Sequence, residues 1–132
     1  KAIAEKINTR RCEILKNRTA AMTRHLQTMT NILIRVQEKA AALKVKGVDV
    51  SSVETAVASA QAAISSAQSA VDALSAVDCN LNITGQDATL RSEVTAGLSD
   101  LRIKIKSVHD QVAAARKATH AAIQSLARLS SD

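Results

Sequence analysis

Three stretches of this sequence place their apolar residues at alternating steps of three and four. The first runs Cys12, Leu15, Thr19, Met22, Leu26, Met29, Leu33, Val36, Ala40 and Leu43. The second runs Val50, Val53, Val57, Ala60, Ile64, Ala67, Val71 and Leu74. The third runs Val94, Leu98, Leu101, Ile105, Val108, Val112, Ala115, Thr119, Ala122, Leu126 and Leu129. That spacing is the a/d pattern of a heptad seam, in which helices bury a narrow stripe against one another. A strand needs a period of two, which is absent. The chain also lacks proline and every aromatic residue. Nothing interrupts long helices, and the core must be built from Ala, Val, Leu and Ile, which suit the space between helices.

The breaks between the stretches are legible too. Lys46-Gly47-Val48-Asp49-Val50-Ser51 reads as a turn, with Gly47 taking the left-handed conformation past a helix end. Ser51 followed by Glu54 reads as a capping box. The second break, Asp78 to Asp87, carries two Asn and Gly85, and Asp87 is placed to cap the next helix. The expectation is a single all-α domain over 1–132. It is an elongated, coiled-coil-like antiparallel three-helix bundle, with helices near 2–46, 51–78 and 88–129. The first helix would be roughly 65 Å long and the second about 40 Å, leaving the first and third projecting at one end.

Charge is segregated along the chain. Residues 1–46 hold eleven Lys/Arg and three Asp/Glu, residues 47–90 hold five Asp/Glu and no cation, and residues 91–132 hold seven and four. Much of the overall charge of +6 can therefore cancel within the molecule. The basic face of the first helix comprises Lys6, Arg10, Arg11, Arg18, Arg24, Arg35 and Lys39. It is read as solvated or as facing acidic residues of another chain. Nucleic acid is disfavoured, because single strands need aromatic platforms and this chain has none. Contact with a membrane surface is the alternative. No stretch reads as a transmembrane span. The chain opens on Lys1, which suggests a processed form or an excised fragment.

The middle helix is nearly uncharged. Ser59, Ala62, Ser66 and Ala73 fall on its outer side, and Ala63 and Ala70 belong to a seven-residue flank that begins at Ala56. Two readings stand: an exposed Ala/Ser helix of low charge, or a face covered by a neighbouring subunit. The second makes these six residues an assembly face and further copies of this chain the expected partner.

Simple geometry makes the two cysteines candidate partners. Reflecting Cys79 through the turn near residue 48 sets it opposite Asn17, about 7.5 Å along the axis from Cys12. An extended residue or two covers about 3.3 Å each, and a disulfide needs Cα atoms within about 7 Å. A bridge would close a loop of about 68 residues and contribute roughly 4 kcal/mol by the chain-entropy argument. The alternative is two unrelated buried thiols. A bridge implies an oxidising compartment, hence an extracellular or cell-surface location.

Catalytic and metal chemistry find little footing. His109 and His120 lie near one helical face without a third ligand, and His25 is on another helix, so no metal site is expected. Ser107, His109 and Asp110 are helical neighbours that cannot form a triad. No phosphate loop, paired-acid cleft, cofactor site or small-molecule substrate is indicated. Asn17-Arg18-Thr19 and Asn82-Ile83-Thr84 match the glycosylation pattern, the first on a helix.

Arg10-Arg11-Cys12, the turn Lys46 to Ser51 and the late Cys79 together resemble uncharacterised secreted helical-bundle proteins of candidate-phyla bacteria (Patescibacteria). Members carry an early Arg-Cys, a Lys-Gly-hydrophobic-Asp-Val-Ser turn and a cysteine closing the second helix. The resemblance spans most of the chain. It implies an extracellular, disulfide-linked bundle and no enzymatic activity. The expected function is a non-enzymatic structural protein of the cell surface, a subunit of a filament or layer. The alternative is a binding module that uses the first helix for nucleic acid or anionic membrane.

Overall fold

A computed structural model describes residues 2–76 and 87–130, with side-chain surroundings for 6–76 and 95–129. Three α-helices account for the described chain: α1 (Ala2–Val45), α2 (Ser51–Ser75) and α3 (Asp87–Ser130). Each packs against the other two, and no strand occurs among the described residues. The protein is an all-α three-helix bundle. α1 and α2 form an antiparallel hairpin, and α3 runs parallel to α1.

α1 continues for 44 residues because no Gly or Pro falls within it. Its end is built by Gly47, whose φ of 90° lies in the left-handed region. The Val48 N–H donates to the Leu43 carbonyl at 3.1 Å and the Gly47 N–H to that of Lys44 at 3.0 Å. This pair of bonds is a Schellman closure. Val48 and Leu43 both pack on the core, adding the hydrophobic contact that accompanies such ends.

The start of α2 differs from the capping box expected of Ser51 and Glu54. The N-cap position is Val50, which offers no side-chain cap. Asp49 supplies the acceptor instead: its carboxylate receives the Ser51 backbone N–H at 3.0 Å and the Ser51 hydroxyl as well. Those two bonds lower the Asp49 carboxyl below its ordinary range, the hydroxyl contributing most. Glu54 pairs across the hairpin with Lys44 at 3.5 Å. α2 ends at Ser75, short of the expected 78. Asp78, Cys79 and the rest of the second break up to Gln86 lie outside the described residues.

Burial follows the heptad pattern closely. On α2 every seam residue from Val50 to Leu74 is buried. On α1, Leu15 through Ala40 are buried at each seam step, while Cys12 and Leu43 are half-buried. On α3, Leu101, Val108, Val112, Ala115, Thr119, Ala122 and Leu126 are buried, with Leu98, Ile105 and Leu129 half-buried. Val94 lies outside the residues with described side chains. Burying one such Leu or Val contributes roughly 1.5–3 kcal/mol. The two seam threonines bond back to their own helix: Thr19 Oγ1 donates to the Leu15 carbonyl at 3.0 Å and Thr119 Oγ1 to that of Ala115 at 2.9 Å. Their polarity is thereby satisfied inside the core.

Lys44 opposite Glu54 and Gln27 sharing a groove with Gln68 fix how far α2 reaches. Its last residues stand near Met22. α1 and α3 therefore run on beyond α2 by about 30 Å.

Candidate functional site

The bundle offers outer surfaces of very different chemistry. Between α1 and α2, Gln27, Gln37, Gln61 and Gln68 line a groove of about 370 Å³. Leu26, Leu33, Ile34 and Ile64 supply its apolar walls, no charged residue lines it, and the nearby ion pair Lys44–Glu54 is exposed and contributes little.

The seam between α1 and α3 is cationic. On α1, Arg18, His25, Ile32 and Lys39 recur at seven-residue intervals beside the core line. On α3, Arg102, His109, Arg116 and Ile123 recur in the same way. The parallel register sets the two lines side by side. Arg18, His25, His109 and Arg116 line a shared groove of about 320 Å³, with Met22, Met29, Ile32 and Val112 beneath. No Asp or Glu lines it. Asp110 lies 4.0 Å from His109 Nδ1, both groups being solvent-exposed. His120, seven residues past Ala113 of that groove, extends the same wall. All three histidines thus belong to this side of the bundle.

The basic face expected on α1 divides among several directions. Lys6, Arg10, Arg18, Arg24, Arg35 and Lys39 are exposed. Arg11 departs from it: it is 6% exposed, and its Nη2 donates to the Gly97 carbonyl of α3 at 3.3 Å. Position 11 is only one step off the core line, so its guanidinium serves the helix pairing instead of the surface. Arg18, a heptad later, is exposed and lines the groove.

The expected assembly face also divides. Ser59, Ala62, Ser66 and Ala73 are exposed, together with Thr55 and Ser69. Ala63 and Ala70, with Ala56, are half-buried and packed on the core. Gln61, Ser65 and Gln68 mark the side of α2 that faces α1. The three alanines stand on the other side, toward α3, whose Ala115, Ala118 and Ala122 are equally small. Part of the small-residue pattern therefore serves close packing inside the bundle.

Cys12 shares the heptad position of Leu26 and Leu33, which line the groove against α2, and is half-buried; no cysteine among the described residues is a free thiol. Cys79 lies outside the described residues. Asn17 is exposed, but Thr19 of the same triplet is buried and bonded within the helix. Asn82 and Thr84 are not described. Ser107, His109 and Asp110 are exposed neighbours on α3. Among the described residues, no three His, Cys, Asp or Glu side chains gather to hold a metal ion, and no helix is long and apolar enough to cross a membrane.

Comparison of the chain with protein-family models, with curated proteins and with solved structures returns no match.

Proposed function

We propose that this chain is a non-enzymatic structural protein of the cell surface or extracellular space, whose copies associate laterally into a filament or layer. One observation carries the reading: the outward arc of α2, from Thr55 through Ser59, Ala62, Ser66 and Ser69 to Ala73, is exposed and wholly uncharged. Surface helices ordinarily turn charged residues to water. An arc of Ala, Ser and Thr lets a second chain approach closely. Segment 47–76, around that arc, holds Asp49, Glu54 and Asp72 and no cation. A neighbour's basic α1 beside it sets orientation more than affinity.

The proposal includes a Cys12–Cys79 disulfide. The heptad position of Cys12, shared with Leu26 and Leu33 of the α1/α2 groove, supports it, as does the resemblance to secreted disulfide-linked bundles. Intact mass before and after reduction checks the bridge, and two free thiols in protein from an oxidising compartment would remove it together with the extracellular assignment.

Assembly is tested by light scattering on the wild type and on the double variant Ser59→Lys, Ser66→Lys. The wild type is expected to form species larger than one chain as concentration rises. The variant should keep its helical circular dichroism and remain monomeric, because it places bulk and like charge where chains meet. A variant that assembles unchanged refutes the α2 interface.

A second reading, a module that takes nucleic acid or anionic membrane on α1, draws on the exposed cations Lys6, Arg10, Arg18, Arg24, Arg35 and Lys39. Salt separates the two. Phosphate binding weakens steeply as salt rises, and contacts between small uncharged side chains do not.

A further inference from the structure

The geometry points to the α1/α3 seam as a binding site for a thin, linear polyanion without bases, of the class of sulfated or uronate polysaccharides. The inference goes beyond lateral assembly and uses the opposite side of the bundle.

Helices that pack through a heptad core ordinarily place opposite charges on the residues flanking it, so that facing walls pair. Here both walls are basic. Arg18 and His25 on α1 meet His109 and Arg116 on α3 across one groove, and no carboxylate lines it. Neither arginine has an ion-pair partner among the described residues. Arg18 and Arg116 are exposed at the two ends of this groove, and no carboxylate stands between them, so the track is open to an anion long enough to reach both.

Shape and composition select the ligand class. The seam is a narrow track between two parallel helices, so it follows a chain better than it fits a flat membrane. The sequence has no aromatic residue on which a nucleobase could stack. Oxyanion groups spaced along a polymer satisfy guanidinium forks directly. A second copy's α2 offers only Glu54 and Asp72 beside its uncharged arc, too few anions to follow the seam.

The test is binding of a fluorescent heparin oligosaccharide to the full chain, followed by anisotropy. The wild type should bind at 50 mM salt and weaken about tenfold by 200 mM. The double variant Arg18→Gln, Arg116→Gln should lose about tenfold in affinity with unchanged helical circular dichroism. Lys44→Gln, Lys104→Gln removes equal charge from other surfaces and should lose less than about threefold. Equal losses in the two variants would reduce the effect to net charge and overturn the site. Absence of heparin binding at 50 mM salt would overturn it as well. Tighter binding of single-stranded DNA or of anionic vesicles, lost in the Arg18/Arg116 variant, would assign the seam to a different ligand. None of these readouts depends on self-association, so the seam and the assembly proposal stand or fall separately.

Discussion

The outward arc of α2 and the seam between α1 and α3 stand on opposite sides of one heptad core. The arc is small and uncharged; the seam is basic on both walls and brings His25 and His109 into one groove. Both surfaces recur with the same seven-residue period as the core itself. What separates them is the residue type placed a step or two away from the core line. At such positions α2 carries Ala and Ser, while α1 and α3 carry Arg, Lys and His. The core pattern thus decides that three helices pack. The flanking patterns decide what each side of the rod can meet.

That division can be broken most severely from beneath. Val108 sits midway along the α3 seam and is buried. Val108→Asp should cost about 3–5 kcal/mol, the scale of an unpaired buried charge, and abolish both surfaces at once. Ser66→Asp lies on the exposed arc and should leave the melting curve within about 0.5 kcal/mol of wild type. Comparable loss of helical circular dichroism in the two variants would contradict the register.

The proposed Cys12–Cys79 bridge comes next. Reduction should lower stability by about 2–4 kcal/mol and leave the helix content of the folded protein unchanged. A melting temperature insensitive to reductant would mean that the bridge is absent or idle.

A smaller effect is expected at the hairpin that sets α2 against α1. Gly47→Ala meets no neighbouring atom, but its φ of 90° is strained for any residue with a Cβ. The cost should be about 1–2 kcal/mol, read from a denaturant midpoint. Protonating Asp49 works at the same turn. Its carboxyl is held low by the Ser51 hydroxyl and backbone N–H. A depressed carboxylate contributes stability that is complete above its unfolded-state value and is lost as pH falls through the folded one. The protection of the Ser51 amide, measured against its intrinsic exchange rate at each pH, should therefore fall only in acid, and unchanged protection there would contradict the cap.

Smallest is the direct effect on stability of neutralising the seam. Arg18→Gln with Arg116→Gln should leave the unfolding free energy within about 0.5 kcal/mol of wild type, because both side chains are exposed. A larger loss would show that the two arginines hold the helices together, which removes the contrast with the arc.

Much of this architecture was legible in the residues. The alternating steps from Leu15 to Ala40, Val50 to Leu74 and Leu101 to Leu126 located the core, and Gly47 located the turn. Two kinds of feature were not. Whether Ser51 or Asp49 caps α2 depends on backbone angles at Val50 that no spacing reveals. The seam needed the third dimension: the seven-residue repeats Arg18, His25, Lys39 and Arg102, His109, Arg116 stand in the sequence, but nothing there says that these two lines lie side by side. His25 seemed remote from His109 because the chain between them folds back once before returning in parallel. The same fold explains Ala63 and Ala70, a flank counted with the assembly face, which are half-buried against the core on the side toward α3.

The central claim is that the uncharged arc of α2 joins one chain to the next. Electron microscopy of the native material tests it most directly. The account predicts rows or filaments built of rods about 65 Å long, packed side by side. Isolated single rods at every protein concentration would contradict it.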